Sequence, residues 1–69
     1  MYKPDYKPLW VTMAMKDKKK NDLRKDLGMS SSTISKMVNN QFVAMSVIAQ
    51  LCDYLSCNIE EVVQMKPGE

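Results

Sequence analysis

Gly28 stands between two short helical segments and fixes how one can follow the other. Before it, Leu23 and Leu27 lie four apart and share one helix face. A helix that stops at Leu27 next needs a residue that tolerates the left-handed conformation, which glycine adopts without steric cost. After it, Met29 can cover the junction, and Ser30 can cap a second helix by accepting a backbone N–H bond. In that second helix Ile34, Met37 and Val38 form an apolar stripe. Winding at about 100° per residue puts Ser32, Lys36 and Asn39 on the opposite side, flanked by Ser31, Thr33 and Ser35.

A short helix with one greasy edge and an outer face of Ser, Thr and Lys does not persist alone. Other elements must hold it, and something polar should meet its outer face. Residues 19–40 therefore read as a helix-turn-helix, the arrangement that lays its second helix in the major groove of DNA. The alternative is an ordinary helical hairpin whose serine face is merely solvated.

The rest of the chain supplies the scaffold. Tyr6, Leu9, Trp10, Met13 and Ala14 repeat with helical spacing and predict a first helix over 6–16, with Asp5 as its cap and Pro8 in the first turn. Trp10 reads as a core anchor because its neighbours in that spacing are apolar. The helix-turn-helix occupies 20–27 and 31–38. Asn40 stands where a left-handed residue would end the second of these, and Phe42 and Val43 are expected to tuck back onto the core. Val47, Ile48, Leu51, Cys52 and Leu55 mark an amphipathic helix over 45–55. Asn58 and Glu61 have capping-box spacing and predict a last helix over 59–64 that buries Ile59, Val62 and Val63. Pro67-Gly68 should end regular structure. The expectation is an all-α fold of five short helices in one domain, residues 1–69.

Composition narrows the function classes. At 69 residues the chain suffices for one small core, and its 45% hydrophobic content is too high for a disordered tail. No apolar run approaches the ~20 residues of a membrane span, and no secretory signal is legible, so a soluble cytoplasmic protein is expected. There is no histidine, and Gly28 and Gly68 are the only glycines. No serine can thus be activated by an imidazole, no glycine-rich phosphate loop exists, and neither enzymatic activity nor a cofactor or metal is expected. Cys52 and Cys57 are spaced C-x4-C, unlike redox or zinc pairs, and read as reduced core thiols. Charge is segregated: residues 1–40 carry nine of ten basic side chains against four of eight acidic ones, and residues 41–69 carry one against four. A basic front and an acidic back suit a small DNA-binding module, although a chance lysine cluster on a solvated loop would look the same.

Taken together, Leu23, Leu27, Gly28, the MSSSTISKM segment with Ile34 and Met37, Asn39, and the LCDYLSCNIEEVV ending resemble the lambda-repressor-like (Xre-type) helix-turn-helix family. The resemblance covers about residues 6–63 and is closest to small stand-alone members opening on Tyr-x-x-Leu-Trp, here Tyr6 to Trp10. It implies a sequence-specific binder of double-stranded DNA, a transcriptional regulator and most often a repressor, usually working as a homodimer. It puts base-reading positions on Ser31, Ser32 and Lys36, with Ser30 and Thr33 as further candidates. Phosphate contacts fall on Lys19, Lys20 and Asn21 and on Asn39, Asn40 and Gln41. Where the family has a small Ala after the leucine of the second helix, this chain has Arg24, and where it has an apolar residue before that helix, this chain has Lys18. The homodimer would use apolar residues near the C-terminus, Val62, Val63 and Met65. The rival class is a protein-interaction module, such as an antitoxin-like partner, using Val63 and Met65 rather than the serine face.

Overall fold

The computed structural model describes residues 1–68. In chain order it contains β1 (Tyr2–Asp5), α1 (Lys7–Met15), α2 (Lys20–Leu27), α3 (Ser31–Val38), α4 (Met45–Leu55), a 3-10 turn (Ile59–Glu61) and β2 (Gln64–Pro67). α2, α3 and α4 have the expected bounds, and α1 is one residue shorter at each end.

Each helix contributes buried residues from its apolar stripe. Tyr6, Leu9 and Met13 meet Leu23, Met29, Ile34, Met37, Ile48, Leu51, Leu55 and Val62 in one buried cluster. The α-helices stop by a shared device. Asp17, Gly28, Asn40 and Ser56 have φ of 61°, 67°, 55° and 51°. Beyond three of them a backbone N–H reaches back five residues: Lys18 to Met13 O, Gln41 to Lys36 O and Cys57 to Cys52 O, at 2.8, 2.8 and 3.1 Å. The left-handed Asn40 expected after α3 is thus one of a set.

The fold is not all-α, and it does not have five helices. The segment predicted as a helix over 59–64 makes only the 3-10 turn, in which Glu61 Oε2 accepts the Asn58 N–H at 3.0 Å, the contact expected of a capping box. The chain then extends, and β2 pairs antiparallel with β1 in the register Tyr2↔Pro67, Lys3↔Lys66, Pro4↔Met65 and Asp5↔Gln64. One turn carries Val62 into the core, and from Gln64 onward the chain pairs with β1 rather than continuing as helix.

Three side chains assigned to the core lie outside it. Val38, Phe42 and Ile59 are exposed, whereas Val43 and Val63 pack against the cluster. Trp10 is half-buried and also carries the Lys20 ammonium 4.6 Å from its ring centre. The cap position of α1 is Tyr6 rather than Asp5 and carries no side-chain cap bond; Asp5 accepts the Lys7 N–H at 3.0 Å and pairs with Lys66 at 2.9 Å. Cys52 and Cys57 are free thiols, half-buried at the end of α4, and burial pushes the Cys57 thiol upward.

Candidate nucleic-acid interface

The surface begins at the N-terminus of α2. Asp22 Oδ2 accepts the Lys19 N–H at 2.8 Å and fixes the helix start. Lys19, Lys20 and Asn21 are exposed around that end, where unpaired N–H groups and the helix dipole favour anions. At the other end of α2, the Tyr54 hydroxyl of α4 donates to Asp26, and this bond, with burial, pushes the phenol up to about 12. The Lys18 ammonium sits 5.2 Å from the same ring centre, which gives the unexpected lysine a partner. Leu23 is fully buried between these anchors.

Gly28 turns the chain, donating its N–H to Arg24 O at 3.1 Å, and Met29 closes the junction at 8% exposure. Ser30 then caps α3: its Oγ accepts the Thr33 N–H at 3.1 Å and shares a hydrogen bond with the Thr33 hydroxyl at 3.0 Å. Two of the five residues expected to read bases are therefore tied to one another. The other three, Ser31, Ser32 and Lys36, are exposed along one strip of α3, and Ser35 joins them. Ser35 follows from the same period that selected its neighbours, being four residues after Ser31. Ile34 and Met37 turn the opposite side of the helix into the core.

The loop after α3 is held from α1. Asn40 Oδ1 accepts the Tyr6 N–H at 3.2 Å, and the buried Tyr6 hydroxyl donates to Gln41 O at 2.8 Å. Asn39 donates its side-chain amide to Ser35 O at 2.9 Å. All three loop residues keep exposed surface, and with Phe42 they line a cleft that Lys3 of β1 shares. No local signal in the sequence could bring Lys3 here, because β1 reaches the loop only through tertiary structure.

The result is a helix presenting hydroxyls and one ammonium, flanked on both sides by cations and amides and backed by a core. Such a surface offers hydrogen-bond donors and acceptors to a polar, anionic partner. Residues 8–68 match the Cro/C1-type HTH DNA-binding domain.

The chain belongs to that family.

The crystal structure of the transcriptional regulator VanUg, form II, superposes on it with a TM-score of 0.92 at 31% identity, covering 97% of this chain and 89% of the other. No curated protein matches the sequence. The Cro/C1-type domain is a DNA-binding class rather than an enzyme class, and this chain is a DNA-binding domain of the kind transcriptional regulators carry. Among the described residues, no helix is long and apolar enough to cross a membrane.

Proposed function

We propose that this Cro/C1-type domain, residues 1–69, recognises a specific duplex DNA site in the cytoplasm with α3 in the major groove, and acts there as a repressor. The observation that supports this most is the exposed strip Ser31, Ser32, Ser35 and Lys36 on a helix whose other side is locked into the core. Serine hydroxyls donate or accept and so discriminate bases loosely, whereas the Lys36 ammonium favours guanine O6 and N7. Ser30 and Thr33 hold the end of α3 that enters the groove. Lys19, Lys20 and Asn21 on one side, and Asn39, Asn40 and Gln41 on the other, meet phosphates.

One lysine among serines makes few strong base contacts, so two copies are expected on a palindrome, with their third helices about 34 Å apart. Val62 is buried and leaves Met65 and the open side of Val63 for a C-terminal contact between copies. The test is selection of bound sites from random duplexes, followed by a salt titration with stoichiometry read by sedimentation. Affinity should fall with a logarithmic slope of about −0.9 per phosphate contacted. Lys36→Ala should cost about 1–3 kcal/mol on the selected site and relax one base position. A complex with a protein that is insensitive to salt, and no shifted DNA at low salt, would replace this reading with the protein-interaction one.

A further inference from the structure

The groove between α2 and α3 is lined by Lys20, Asn21 and Arg24 from one helix and by Ser31, Ile34 and Ser35 from the other. Lys20 and Arg24 lie four apart on α2, as Ser31 and Ser35 do on α3, so two helix rows face each other across it. The Ser31 and Ser35 wall is part of the exposed strip assigned above to DNA. We infer that Arg24 is a further DNA contact, its guanidinium binding a backbone phosphate beside the α3 strip. The inference rests on the DNA-binding reading of that strip.

Three observations lead there. Arg24 borders the groove above a core to which Leu23, Met29, Ile34 and Met37 all belong. A long side chain at this junction has its room outside, and Arg24 is exposed. Its charge is also uncompensated. The two α2 carboxylates nearest in sequence are engaged elsewhere, Asp22 with the Lys19 N–H and Asp26 with the Tyr54 hydroxyl. Among the described residues no carboxylate comes within ion-pair distance of Arg24. Finally, its groove neighbour Lys20 lies over Trp10, and like charges four apart weaken a helix. An anion between α2 and α3 would offset that repulsion.

Phosphate is favoured over a base edge because the first helix of such a motif crosses the backbone while the second enters the groove. Guanidinium also suits phosphate through two parallel N–H bonds.

The test compares the full chain with Arg24→Ala and Arg24→Lys by fluorescence anisotropy on a selected duplex and on an unrelated one, across a salt series. Ala is a good helix former at this exposed site, and an unchanged melting temperature would confirm folding. The expected result for Arg24→Ala is roughly ten-fold weaker binding to both duplexes, with a logarithmic salt slope shallower by about 0.9. Arg24→Lys should restore the slope, since it keeps the charge. Unchanged affinity and slope, with the parent chain still binding, would overturn the inference and leave the α3 reading intact. A loss confined to the selected duplex would overturn the phosphate assignment. If the parent chain binds neither duplex at low salt, the DNA-binding reading itself fails and takes this one with it.

Discussion

The α2–α3 pair and the terminal sheet are built on opposite principles. In α2 and α3 almost every decisive contact lies within a few residues along the chain: Asp22 to Lys19, Ser30 to Thr33, Asn39 to Ser35, and the turn at Gly28. Four buried side chains, Leu23, Met29, Ile34 and Met37, then fasten this preformed unit to the core. The sheet reverses the proportions. β1 and β2 come from far-separated parts of the chain, and all four residues of β2 are exposed. Backbone bonds, the buried Pro4 and the Asp5–Lys66 ion pair hold it. The pair of helices has local order plus a core anchor, while the sheet depends on the core having already formed. A surface meant to be read by a partner gains from the first arrangement, because its side chains keep their spacing when distant parts fluctuate.

Removing the core anchor should break the contrast outright. Leu23→Ala should lower stability by about 2–5 kcal/mol, read as a fall in the denaturation midpoint, because a fully buried leucine leaves a cavity. A loss below 1 kcal/mol would mean that the helix pair stands on its local contacts alone. Ser30→Ala probes those local contacts and should cost about 0.5–2 kcal/mol, with the N-terminal turn of α3 losing amide exchange protection first. Uniform loss of protection would deny α3 a local start signal. The smallest effect concerns the sheet. Lys66, and then the Lys7 N–H, hold the Asp5 carboxyl below its ordinary value. That contribution is present above the unfolded-chain pKa and is lost as the pH falls through the lower folded one, on the acid side of about pH 4. Lys66→Met should lower the neutral midpoint slightly, and its difference from the parent chain should vanish as the pH falls below about 4. A large shift at neutral pH would make the ion pair more than an accessory to the strands.

The same division explains what could be read in advance. The bounds of α2, α3 and α4 were legible because period, cap and turn all act over a few residues. The Gly28 turn and the left-handed Asn40 followed from the same local rules. β1 and β2 were not, because each is four residues long, carries a proline and is defined by a partner at the far end of the chain. Asn58 and Glu61 announce a helix start, and nothing nearby announces that it ends within one turn. Of the interface, the exposed strip of α3 was legible from the helical period. The hydroxyl bond that ties Thr33 to Ser30 was not, since the helical period carries no information on side-chain partners. The seating of Asn40 and Gln41 against Tyr6 spans more than thirty residues and has no local signature.

The register of the sheet has a consequence for how the molecules behave when crowded together. Gly68 donates to Met1 O at 2.8 Å, so by the alternation of an antiparallel ladder Lys3↔Lys66 and Asp5↔Gln64 are the inward-bonded pairs. Tyr2 and Pro4 on β1, and Met65 and Pro67 on β2, then direct their backbone outward. On each outer edge one of these two residues is a proline and has no N–H to give. A strand from a neighbouring molecule would find one donor where a ladder needs two, along edges only four residues long. The two prolines therefore leave each edge short of donors for lateral growth into aggregates.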